Sequence, residues 1–158
     1  MRKSSGFVRS AGLGLSEYRV SGLPAGENRM FQVLFLVAAL WNLAGAVPGM
    51  IDPAGMFLRE FGRPLTDPVH VAIYRGAWGT ALLYGLGFLA VARRPARHPG
   101  VVAMGGLGKA LFAINLAVMH AQGWTSDFAV VVIVGDVLFV AAFIVYFVRL
   151  QRHGLPWI

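Results

Sequence analysis

The fold class can be inferred from residues 126–150, which read SDFAVVVIVGDVLFVAAFIVYFVRL. Between Asp127 and Arg149 it holds one charged residue, Asp136, and otherwise aliphatic, aromatic and small side chains. A helix that crosses a bilayer needs about 20 mostly apolar residues. The stretch therefore predicts a transmembrane helix with a single buried carboxylate.

Three more stretches have the same character, at about residues 30–47, 68–92 and 101–121. Pro48 follows the first of them and is expected to end it. The whole chain is 57% apolar and only 13% charged, whereas ordinary soluble domains are about 25% charged. The sequence therefore predicts an all-α polytopic membrane protein, a four-transmembrane-helix bundle over residues 30–150.

The ends of these stretches carry helix-start patterns. Asp67 directly precedes Pro68 and is a candidate N-cap of the second stretch. Thr125, Ser126 and Asp127 lie at the start of the fourth stretch and are candidate N-caps there. The Asp52-Pro53 pair predicts a short outer helix at 53–61, which either lies along the membrane interface or caps the bundle. Residues 1–29 are expected to form a basic tail, mobile or interfacial, and residues 151–158 a C-terminal tail.

Basic residues predict the orientation of the bundle. Ten of the 14 Lys and Arg side chains fall at the two ends of the chain or between the second and third stretches. The positive-inside rule then places both termini in the cytoplasm. The absence of cysteine excludes a disulfide scaffold. The basic charge reflects topology, so no nucleic-acid partner is expected.

Three charged residues fall inside the predicted spans: Arg75, Lys109 and Asp136. A charge near the bilayer centre is costly and usually has a partner or a function. Helical rise places Lys109 and Asp136 at similar depth on neighbouring helices, which predicts an ion pair. Such a pair could fix helix packing or serve a proton- or ion-linked site, and Arg75 could compete for the carboxylate.

Other polar residues predict a layer in the outer half of the membrane. Asn42, Tyr74, Arg75 and Asn115 are expected at similar depth, with Trp78 one turn from Arg75 and able to stack on it. Asparagines within membranes commonly join helices by hydrogen bonds. The layer therefore either joins helices by hydrogen bonds or forms a ligand site.

Two histidines, His70 and His120, fall at the outer ends of the second and third spans. They fit wet interfacial or capping residues, and alternatively a proton carrier or a haem ligand. The spacing of His, Asp and Glu predicts no metal site.

Several dipeptides resemble the small bacterial four-helix membrane proteins grouped as DoxX-like. They are Trp41-Asn42, Tyr74-Arg75, Trp78-Gly79, Gly108-Lys109 and Gly135-Asp136, within about residues 30–150. The resemblance implies a four-helix fold in the inner membrane of a bacterium. In some relatives it implies a small subunit of a complex linked to quinone-dependent sulfur oxidation. With no cysteine, thiol chemistry is not expected here.

Three functional hypotheses follow from the sequence. The first is a subunit or ligand-binding membrane protein without its own catalytic centre, packed against other transmembrane helices through its small residues. The second is a proton- or ion-coupled transporter or channel subunit, acting as a homo-oligomer. The third is a membrane enzyme acting on quinone or lipid, with quinone or haem as the cofactor.

Overall fold

The computed structural model describes residues 22–156, of which 84% are helical. The helices are α1 (Ala25–Ile51), α2 (Pro53–Phe61), α3 (Pro68–Arg93), α4 (Pro99–Ala121) and α5 (Phe128–Arg152). A 3-10 turn, Pro95–Arg97, joins α3 to α4. Because the described residues contain no strand, the predicted all-α class is confirmed.

Three of the helices, α1, α4 and α5, are long and apolar enough to cross a membrane. Helix α3 has 26 residues and is long enough, but it is less apolar than the other three. Arg75, His70 and several glycines within α3 account for the difference. Length and composition therefore support a membrane protein with transmembrane helices.

Helix α1 differs most from its predicted bounds. It starts at Ala25, within the predicted tail, and passes through Pro48 to end at Ile51. The prediction that Pro48 ends the helix is wrong, because the last turn continues with the Asp52 N–H donating to the Pro48 carbonyl at 2.8 Å. The other long helices begin and end within two residues of the predicted limits. Residues 1–21, and with them most of the predicted tail, lie outside the described residues.

The short helix α2 is found at its predicted position, 53–61. Asp52 caps it by accepting a hydrogen bond from the Gly55 N–H at 2.9 Å, and Gly62 ends it in the left-handed conformation, with φ of 68°. Asp67 caps α3 in the same way. Ser126 does not cap α5 and instead donates to the Arg59 carbonyl, which ties the start of α5 to α2.

The long helices form two antiparallel pairs, α1 with α3 and α4 with α5. Phe31 and Phe35 of α1 pack edge-on against Tyr146 of α5, with ring centroids 5.2 and 5.0 Å apart. Phe88 and Phe143 complete this buried aromatic cluster. It joins the two pairs near the end of the bundle where α1 begins and α5 ends, called here the terminal end. The opposite end, which holds α2, is called the α2 end.

Glycines permit the close approach of the helices at particular points. A side chain at Gly45 or Gly49 of α1 would overlap the indole ring of Trp78 on α3. A side chain at Gly135 of α5 would overlap the ring of Trp41 on α1. Small residues at helix contacts are typical of membrane bundles. In this chain many of them are used for contacts inside one molecule.

Candidate functional site

The predicted ion pair is present in the middle of the bundle. Lys109 Nζ on α4 lies 2.6 Å from Asp136 Oδ1 on α5, and each side chain is only 7% exposed. Lys109 is ten residues from the start of α4 and Asp136 is eight from the start of α5, or about 15 and 12 Å by helical rise. Both groups therefore lie near the midplane of the helices.

A third helix takes part in this cluster. The Trp41 indole on α1 donates from Nε1 to the same oxygen of Asp136, at 3.0 Å. Lys109 Nζ also lies 5.0 Å from the centre of the Phe139 ring, within range of a cation–π contact. The sequence alone did not indicate this contact between Trp41 and Asp136. The tryptophan reaches inward because Gly135 leaves room for its ring beside Asp136.

Arg75 is not part of the cluster. Trp78 lies over Gly45 and Gly49 near the end of α1, so Arg75, one turn earlier on the antiparallel α3, is level with that end. It is exposed and has no hydrogen-bond or ion-pair partner within residues 22–156. Contrary to expectation, Arg75 therefore neither pairs with Asp136 nor stacks on Trp78 in this structure.

The predicted polar layer is not assembled into one site. Asn42 donates from Nδ2 to the Ala81 carbonyl of α3 at 3.1 Å, and it therefore joins α1 to α3 by a hydrogen bond. Tyr74 faces α2, and Trp78 packs between α1 and α3. Asn115 is exposed on α4, and no contact within the described part of the chain occupies its amide.

Each histidine has its own local partner. His70 lies beside Asp67, with Nδ1 3.7 Å from Oδ1, and its side chain is 71% exposed. His120 Nδ1 forms a hydrogen bond of 2.8 Å with Thr125 Oγ1 at the turn into α5. Among residues 22–156 no group of three His, Cys, Asp or Glu side chains could hold a metal ion.

A second buried polar site was missed from the sequence. Glu60 of α2 is 1% exposed, and its Oε2 accepts a hydrogen bond from the Tyr74 hydroxyl at 2.5 Å. Its Oε1 is buried and has no hydrogen-bond partner in the described region. Burial raises the pKa of Glu60 above its ordinary value, and the hydrogen bond from Tyr74 opposes this only in part.

The spacing of α2 contains the information that locates Glu60. Pro53, Met56 and Glu60 follow one another at three and four residues, and all three are buried. Residues with this spacing share one helix face. The neighbouring Arg59 and Arg63 are exposed, so Glu60 does not share their surroundings. A carboxyl group on an apolar face is a feature that could have been recognised.

Comparison with known protein families, with curated proteins and with solved structures gives no match to this chain. The geometry itself shows two buried polar clusters, one in the middle of the bundle and one under α2. Both join helices of the same molecule, and each is formed by side chains that lie far apart in sequence.

Proposed function

We propose that the chain spans the membrane four times, with both ends in the cytoplasm. The fourth span is α3, which lies along α1 from one end to the other. Gln32 Nε2 lies 3.5 Å from the Arg93 carbonyl at the terminal end, Asn42 bonds to Ala81 midway, and Gly49 contacts Trp78 at the α2 end. Because α1 is apolar enough to cross a bilayer, a helix packed along it passes through the same layer.

The distribution of charge supports this orientation. Arg149 and His153, at the end of α5, lie 3.4 and 3.3 Å from Glu27 in the first turn of α1. The two ends of the described chain therefore meet at one end of the bundle. Arg93, Arg94 and Arg97 lie at that same end, as the positive-inside rule requires of a cytoplasmic face.

We further propose that the protein is a subunit without a catalytic centre of its own, in the plan of the DoxX-like proteins, and that it associates with another transmembrane helix. The observation that carries this is the free face of α3. This face follows heptad spacing and is rich in small residues: Ala72, Gly76, Gly79, Leu83, Leu86 and Ala90. A Cβ atom at Gly76 or Gly79 would have no neighbour within 4 Å among residues 22–156.

The free faces of α4 and α5 have a different composition. Large aliphatic side chains dominate them, such as Leu107, Leu111, Leu138 and Ile144, each between 59 and 68% exposed. These faces suit contact with lipid acyl chains. The free face of α3 suits close approach of a second helix backbone, which small residues permit. The least apolar of the long helices is therefore the one expected to be covered.

The ion pair is assigned to the integrity of the bundle. Asp136 connects α5 to Lys109 on α4 and to Trp41 on α1 through a single oxygen. The transporter and the quinone or lipid enzyme remain alternative hypotheses. Proton-coupled flux into liposomes that is lost in Asp136→Asn but retained in Gly76→Leu would favour the transporter over the assembly.

The experiment extracts the full chain from its native membrane in polymer nanodiscs and measures the mass of the particle's protein content. We expect wild type to exceed the 17.0 kDa of one chain, and Gly76→Leu to lose the additional mass. Ala141→Leu is the matched control, because Ala141 is exposed on the aliphatic face of α5. A monomeric wild type, or assembly retained in Gly76→Leu, would overturn the proposal.

A further inference from the structure

A groove runs between α1 and α3 on the lateral surface of the bundle, near its terminal end. Val33, Leu36, Leu89 and Ala92 form its apolar walls, and Gln32 and Arg93 line it as well. The groove has a volume of about 280 Å³. Val33 is 55% exposed and Leu36 45% exposed, so the apolar walls are open to the surrounding lipid.

The groove has a basic end. Arg93 is the last residue of α3. Arg29 lies four residues before Val33 and seven before Leu36, and it therefore shares their face of α1. Both arginines are exposed, and no acidic side chain pairs with either among residues 22–156. Glu27, the acidic residue at this end of the described chain, is within 3.4 Å of Arg149 and His153 instead.

We propose that this groove binds one anionic phospholipid of the cytoplasmic leaflet. Its phosphate lies between Arg29 and Arg93, and an acyl chain follows the walls formed by Leu36 and Leu89. Guanidinium groups bind phosphate oxygens through paired hydrogen bonds. Basic pockets between helices on the cytoplasmic side are typical places for acidic lipid head groups. The leaflet follows from the proposed four-span orientation, whereas the binding chemistry does not depend on it.

The test uses the full chain, purified in detergent and freed of lipid, titrated with phosphatidylglycerol or phosphatidylcholine and followed by native mass spectrometry. Wild type is expected to bind the anionic lipid more tightly. The variant Arg29→Gln/Arg93→Gln should lose about 25-fold in this affinity, roughly fivefold for each arginine. The control Arg63→Gln/Arg152→Gln removes the same charge from exposed residues outside the groove and should bind as wild type does.

A filled groove supplies the second test. Val33→Trp should weaken binding of both lipids, because the larger side chain occupies the space of the acyl chain. Equal affinity of wild type for the two lipids, or unchanged anionic-lipid binding in the groove double variant, would overturn the proposal. An equal loss of affinity in the control variant would show that net charge alone attracts the lipid, and it would also overturn the proposal. Gly76→Leu should retain the lipid, so failure of the assembly proposal is distinguishable from failure of this one.

Discussion

Replacing Lys109 by Met tests whether the buried ion pair stabilises the bundle. The two charged atoms are 2.6 Å apart and both side chains are 93% shielded from solvent. Removal of one partner from a buried pair costs about 3–5 kcal/mol, and a lone charged side chain at the centre of a membrane helix costs about 2.5–3.5 kcal/mol. The two ranges overlap near 3 kcal/mol, so Lys109→Met should lower the free energy of unfolding by about 3 kcal/mol.

The assay is reversible unfolding in mixed micelles with increasing dodecyl sulfate, followed by tryptophan fluorescence. The matched variant Lys109→Met/Asp136→Asn removes both charges and keeps an acceptor for Trp41. It should lie within about 1 kcal/mol of wild type, because replacement of a whole buried pair by uncharged groups is often nearly neutral. A loss below about 1 kcal/mol in the single variant, or equal losses in the single and double variants, would show that the ion pair does not stabilise the bundle.

Three further predictions concern single side chains. Burial raises the pKa of Glu60 in the folded protein above the value of about 4.3 in the unfolded chain. The stability that protonated Glu60 contributes is therefore present below about pH 4.3 and is lost as the pH rises through the raised pKa. Thermal melting at increasing pH should show this decline in wild type and not in Glu60→Gln. Tyr146→Phe removes the donor to the buried Pro95 carbonyl and should cost about 1–3 kcal/mol by the same unfolding assay. Asn42→Leu removes the hydrogen bond to Ala81 and should lower the free energy of unfolding by about 0.6–1.7 kcal/mol. A change near zero would show that Asn42 does not hold α1 and α3 together.

The helices were largely predictable from the sequence because long apolar stretches predict long helices, three of which are apolar enough to cross a membrane. Proline and aspartate at 52–53 and 67–68 located two helix starts correctly. Pro48 misled, because it is placed in the last turn of α1, where one missing N–H donor does not end the helix. Termination by proline is a local rule, and here the contact of Gly49 with Trp78 supports the continuing turn.

The ion pair was predictable because depth and adjacency follow from helical rise and a short connecting loop. The position of α3 along α1 was not predictable in this way. The start of its span gave Arg75 an apparent depth of about 10 Å, but α3 extends beyond α1 to meet α2, which moves Arg75 to the end of the bundle. Lateral packing decides such offsets, and the contacts that set it lie far apart in sequence.

Glu60 and Trp41 show the same limit for the sites. Each becomes significant through a partner on another helix, Tyr74 for the carboxyl group and Asp136 for the indole. Neither dipeptide patterns nor composition specify those partners. The spacing of α2 identifies the buried face that contains Glu60, whereas the inward position of Trp41 depends on the room left by a glycine on α5.

We propose above that α3 crosses the membrane, which makes four spans with both ends on the cytoplasmic side. The chain has no cysteine, so a single introduced cysteine can be labelled without background in intact cells by an impermeant maleimide. Arg63→Cys and Gln122→Cys should label from outside, whereas Arg97→Cys and Gln151→Cys should label only after the membrane is permeabilised. Residues 63 and 97 flank α3, and labelling of both from the same side would contradict the account.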